Sequence, residues 1–219
     1  MANRHDKILP EIELPEHVAK ETLQLLLHTI VFLRAPKQLK VNVDILDCKT
    51  DTFTFPYAKL KYDEVTRSID EKLDKFMQAK EATGDVESSS LTTIGPDLSK
   101  GMISLDFYVK KKTGSWFGPK EEKVVFERWI LNVLIDSTPR PLGDDTASII
   151  ERTRTRETVE EKSRTTVWEI FTKAMADLDH LPKEYNFEID CTGGGGKAGR
   201  RSSSDERTLL GRPQLFTAS

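Results

Sequence analysis

The sequence predicts an α+β fold in which a central β-sheet is packed by three helices. Three segments carry apolar residues at helical spacing, while two others carry the alternation or the continuous apolar run of paired strands, and the two kinds are interleaved along the chain. Over 219 residues, 37% hydrophobic and 32% charged content is polar for a globular domain yet far from that of a fully disordered chain. One core with solvated segments is expected.

The first helix opens at Pro15 and Glu16, where proline fits the first turn, and ends before Pro36. Val18, Leu23, Leu26, Leu27, Ile30 and Leu33 form its stripe, widened by Leu25, Val31 and Phe32, so its second half is enclosed on most sides. His28 sits in that apolar run and reads as a core histidine rather than a ligand. Residues 40–47 and 52–61 read as strands, with Pro56 placing the second at an edge or bulge. Asp63 caps a second helix from 64 to about 81, whose stripe is Val65, Ile69, Leu73, Phe76 and Met77. Residues 82–100, with Gly84, Gly95 and Pro96, read as a surface loop.

Ile103, Leu105, Phe107 and Val109 alternate with Ser104, Asp106, Tyr108 and Lys110, which marks a strand with one buried face. Residues 123–135, KVVFERWILNVLI, are apolar on both faces near their end and read as a central strand. The two pair as a hairpin across about ten connecting residues, longer than the two to five that are usual. Residues 144–178 form the third helix, solvated in its first half and packed on the sheet through Val167, Ile170, Phe171, Ala174, Met175 and Leu178 in its second. Trp168 flanks that face, and Tyr185–Asp190 adds a short strand. The domain layout is therefore an N-terminal extension at 1–14, a folded domain at 15–190 and a disordered Gly/Arg/Ser-rich tail at 191–219.

Several function classes are disfavoured. A net charge of -3 with interspersed signs gives no electrostatic handle for nucleic acid. Two cysteines, Cys48 and Cys191, are too few for a disulfide framework and read as free thiols of a reducing compartment. No signal peptide and no apolar run of the ~20 residues needed for a span is visible, so a cytoplasmic protein without stable membrane insertion is expected. Among His5, His17, His28 and His180 no pair has HExxH spacing, and GxSxG is absent. Asp177 and Asp179 near His180 read as a charged helix end. The Gly193–Gly196 run before Lys197 lacks the further glycine and the hydroxyl residue of a phosphate loop and reads as a flexible linker. No catalytic residue, metal or cofactor is predicted.

What remains is the hairpin tip, Thr113-Gly114-Ser115-Trp116-Phe117-Gly118-Pro119. Two large aromatics between glycines and a proline either fold back over the sheet as a satellite cluster or project as a binding anchor. Each ring offers on the order of 150–250 Å² of surface. The residues leave both readings open.

The stretches LLLHTIVFLR at 25–34, DTFTFPYAKL at 51–60, MISLDFYVKKK at 102–112, FERWILNVLI at 126–135 and DHLP at 179–182 together resemble the autophagy-related protein 101 family, single-domain HORMA proteins. The resemblance implies a HORMA fold with a mixed central sheet, three helices and a protruding hairpin finger. It further implies a non-catalytic scaffold subunit of the autophagy-initiation kinase complex that pairs with and stabilises the HORMA domain of autophagy-related protein 13. Trp116 and Phe117 are similar to the family's exposed Trp/Phe finger, which would recruit downstream factors at the phagophore assembly site. The alternative is a peptide-clasping HORMA switch of the checkpoint type. Two departures stand out. Trp116 and Phe117 are adjacent, where the family can carry an intervening proline, so on an extended tip their rings leave on opposite sides. The chain also turns Gly-rich after Asp190, where the family continues into ordered strands.

Overall fold

A computed structural model describes residues 4–35, 45–48, 52–78, 91–115 and 118–193. In chain order the elements are β1 (His5–Ile8), β2 (Ile12–Pro15), α1 (Glu16–Arg34), β3 (Ile45–Cys48), β4 (Tyr57–Leu60), α2 (Asp63–Gln78), β5 (Leu91–Thr93), β6 (Leu98–Ser115), β7 (Gly118–Asp136), α3 (Thr146–Met175) and β8 (Asn186–Gly193). The architecture is α+β, with a six-stranded mixed sheet, a separate β3–β4 pair and three helices among the described residues.

Strand β7 is central, as its two apolar faces predict. β6 lies antiparallel on one side, and β1 and β2 lie parallel on the other. β6 in turn pairs antiparallel with β5 and β8. Along β6, Ile103, Leu105 and Phe107 are fully buried, and along β7 Trp129, Leu131, Val133 and Ile135 face the same core. Leu23, Leu26, Leu27 and Ile30 of α1 close that core, joined by Val65, Ile69, Leu73 and Phe76 of α2. The period-2 and period-3.6 patterns thus meet in one cluster. His28 is buried in it, and desolvation, helped by Lys59, lowers its pKa to about 4.

Four differences from the sequence reading have identifiable causes. Within residues 1–14, expected as an extension, lie β1 and most of β2, and Pro15, expected to open the helix, ends β2 instead. Ile12 and Leu14 point inward between Glu11 and Glu13, an alternation too short to stand out from sequence alone. Strand β4 starts only after Pro56, whose missing N–H cannot serve an interior ladder position, and residues 40–44 lie outside the described residues. The stretch expected as a loop holds β5 and the start of β6; residues 79–90 lie outside the described residues. Strand β8 continues through Cys191 and Thr192 to Gly193, pairing with Gly101–Ile103, while residues 194–219 of the expected tail lie outside the described residues.

Candidate interaction surfaces and a buried polar network

The β6–β7 hairpin is longer than its apolar pattern predicts. After a register shift between Lys100 and Val109, pairing runs from Val109↔Val124 to Ser115↔Gly118, so the expected ten-residue connection is instead mostly ladder. The reason is chemical. The sequence of this stretch carries no apolar alternation; instead the register sets Lys111 opposite Glu122 and Lys112 opposite Glu121. Lys110 Nζ also approaches Glu121 at 3.6 Å, and Lys123 Nζ sits 4.3 Å from the Tyr108 ring centroid near the base of the arm. Strand β8 begins opposite Tyr108 and β1 begins opposite Glu127, so among the described residues the pairing beyond Val109 and Val124 is a two-stranded ribbon. Trp116 and Phe117, the residues predicted to bind a partner, fall between Ser115 and Gly118 and lie outside the described residues.

Helix α3 divides the stripe predicted for it. Ile170 and Ala174, four apart, are fully buried, but Phe171, Met175 and Leu178 are exposed, and Trp168 is 68% exposed. Residues 168, 171 and 175 share an arc of the helix turned away from the core. The Trp168 and Phe171 rings stack at 5.8 Å between centroids, forming an aromatic patch on the surface. Patches of this kind mark contact sites more often than isolated apolar residues do. The N-terminal half is also helical, capped by Asp145, whose carboxylate accepts from the Ser148 amide at 2.9 Å.

At the opposite end of α3, a polar network penetrates the core. Glu127 on β7 is fully buried among apolar neighbours, and its Oε1 accepts from Arg34 Nε at 2.6 Å and from the Trp129 indole N–H. Its Oε2 faces His180 Nε2 at 2.6 Å. Arg34 also donates from Nη1 to the Ala174 carbonyl at 2.8 Å and lies over the Trp129 ring, while its own carbonyl accepts from the Tyr185 hydroxyl. Burial raises the Tyr185 pKa, so the phenol stays a donor. Lys7 of β1 donates to the Lys173 carbonyl at 2.9 Å. Burial lowers the pKa of this lysine, with Glu127 opposing the shift.

The network continues outward from His180. Its ring stacks on His5 at 4.1 Å, and Asp177 lies 3.0 Å from His5 Nδ1 and 3.3 Å from His180 Nδ1. The His180 imidazole holds the Asp177 carboxyl below the ordinary carboxylate range, aided by His5 and Lys7. Sequence reading took Asp177, near His180, as part of a charged helix end and missed His5, which arrives through the β1–β7 pairing. A separate cleft of about 880 Å³ lies between the start of α1 and the first half of α3, bordered by His17, Glu21, Arg140 and Arg156. Among the described residues no helix is long and apolar enough to cross a membrane.

Comparison with known proteins bears on which of these features carries function. The family described as Autophagy-related protein 101 matches this chain over residues 11–186, which takes in both arms of the hairpin and all of α3. The protein described as Autophagy-related protein 101 from Arabidopsis thaliana is 28% identical over 198 residues, covering 83% of this chain and 84% of its own length.

Proposed function

This chain belongs to the autophagy-related protein 101 family, and from that premise we propose that it is a non-catalytic HORMA scaffold of the autophagy-initiation kinase complex. It pairs with and stabilises the HORMA domain of autophagy-related protein 13. Trp116 and Phe117 recruit downstream factors for autophagosome assembly, and the protein works in the cytoplasm and at the phagophore assembly site. The observation that carries this reading is the family match across the whole hairpin, together with a ladder that runs to Ser115↔Gly118 and so brackets the two aromatics. The stacked, exposed Trp168 and Phe171 support a protein contact as well, since aromatic anchors dominate binding energy at such surfaces. The peptide-clasping alternative has less support, because β8 already lies along β6 where an added strand would pair.

The test is Trp116→Ala combined with Phe117→Ala in cells. The double variant is expected to fold and to pair with its HORMA partner but to lose autophagosome formation; normal autophagy in these cells would refute the finger's role. Separate single variants distinguish two rings acting together from one acting alone, which matters because the residues are adjacent. Trp168→Ala with Phe171→Ala is expected to spare the fold and weaken partner pull-down.

A further inference from the structure

We propose that His5, Asp177 and His180 form a zinc-binding site that ties the N-terminal strand β1 to the end of α3. One donor atom from each residue lies within 4.8 Å of the others, the one such grouping of potential ligands among the described residues. Tetrahedral zinc with bonds of about 2.0–2.1 Å spaces its ligand atoms roughly 3.3 Å apart. Asp177 already approaches both histidines at distances of that order, Oδ2 lying 3.0 Å from His5 Nδ1 and Oδ1 3.3 Å from His180 Nδ1.

The decisive feature is His180. Its side chain is only 10% exposed, and its Nδ1 is a buried nitrogen that makes no well-formed hydrogen bond, the Asp177 carboxylate approaching it at 3.3 Å. Leaving a buried polar atom poorly satisfied is costly, so this nitrogen asks for a ligand. Its other nitrogen, Nε2, is held 2.6 Å from the buried Glu127 carboxylate. A carboxylate there keeps the proton on Nε2, so that when a metal replaces the Nδ1 proton the ring presents a lone pair to it. Carboxylate, histidine and metal in series is the usual arrangement around a metal-ligating imidazole. Glu127 is in turn locked by Arg34 and Trp129, so the ring is oriented before any metal arrives.

The backbone brings the other ligands to the same place. His5 is the parallel β-partner of Glu127 itself, and Asp177 follows the last turn of α3, where the helix carbonyls favour a cation. His5 and Asp177 are each more than a third exposed, which gives a metal and one water a path in. The two imidazoles stack with planes 17° apart, so closing the site requires the His5 ring to turn about its own axis, a motion its exposure permits. Two imidazoles and one carboxylate suit zinc and other late first-row divalent ions and reject magnesium and calcium, which take all-oxygen shells.

The experiment uses the untagged full chain, stripped with chelator and titrated with zinc chloride by calorimetry in a non-coordinating buffer, with magnesium chloride as the control. One zinc per chain is expected and no magnesium binding. The melting temperature should rise roughly 5–10 °C once free zinc exceeds its dissociation constant about a hundredfold. Amide exchange at Asp6, Lys7 and Ile8 should slow in the same samples. His5→Ala and Asp177→Asn, both at partly exposed positions, are each expected to weaken zinc binding at least about tenfold while leaving the zinc-free melting temperature nearly unchanged. No stoichiometric zinc binding by the parent chain, or binding that survives both substitutions, would overturn the proposal.

Discussion

Arg34 Nε lies 2.6 Å from Glu127 Oε1, with the two side chains 1% and 0% exposed. The pair joins the last residue of α1 to the central strand at a point where no water can replace either partner. Removing one charge leaves the other stranded in the core, which typically costs about 3–5 kcal/mol. Glu127→Leu is therefore expected to lose stability of that order in urea denaturation. Adding Arg34→Met should recover part of the loss, because the cost lies in the uncompensated charge more than in the missing contact. A double variant as unstable as the sum of the singles would contradict this.

His28 gives the fold an acid-sensitive component. Its pKa is depressed to about 4 in the folded state, by desolvation first and Lys59 second, against about 6.5 when unfolded. Between these values the unfolded chain binds the additional proton, so stability is full above about pH 6.5 and falls as pH drops toward 4. The loss should reach about 3 kcal/mol at pH 4. Denaturation curves across this range measure it, and His28→Gln should flatten the dependence.

Gly101 on β6 is required by packing. A Cβ there would sit 2.6 Å from the Phe76 ring and 2.7 Å from Leu91 Cδ2. Phe76 is fully buried, so its ring has no free direction in which to retreat. Gly101→Ala should cost roughly 1–3 kcal/mol by overpacking, read from the shift in the urea midpoint. Trimming Leu91 to Ala in the same chain should relieve part of the strain.

Cys191 should be chemically silent in the native protein. Burial pushes its thiol pKa up to about 12, and Sγ faces the Lys72 carbonyl. Thiolate is the reactive form, so at pH 8 a disulfide reagent should react roughly a thousandfold more slowly than with an ordinary free thiol. The measurement needs Cys48→Ser so that one thiol is counted, and denaturant should restore the normal rate.

The parts of the fold that were legible from sequence are those with a large buried face. The stripes of α1 and α2 and the alternation of Ile103, Leu105 and Phe107 each expose one periodicity to inspection, and the structure buries them as read. The parts that were not legible depend on pairing between distant segments. His5–Ile8 carries no pattern of its own and becomes a strand only because β7 offers an open edge. The outer half of the hairpin is a backbone ladder through charged residues, which resemble solvated loop residues when read singly. On α3 the periodicity located the core residues Ile170 and Ala174 but could not tell how far the covering extends around the helix. The candidate site divides in the same way. Trp116 and Phe117, outside the described residues, are singled out by their placement among turn residues, whereas the His5, Asp177 and His180 cluster exists only once β1 has added to the sheet.

The two-stranded ribbon beyond Val109 and Val124 has a consequence for how the protein behaves among copies of itself. A ribbon without flanking strands offers backbone N–H and C=O groups along its outer edges, the usual template for one chain to recruit another into a growing sheet. Here the edges carry Lys110, Lys111, Glu122 and Lys123, and Pro119 near the turn contributes no N–H. Charged side chains and a missing donor are what edge strands use against pairing with another chain. At high local concentration that composition disfavours edge-to-edge addition of a second copy.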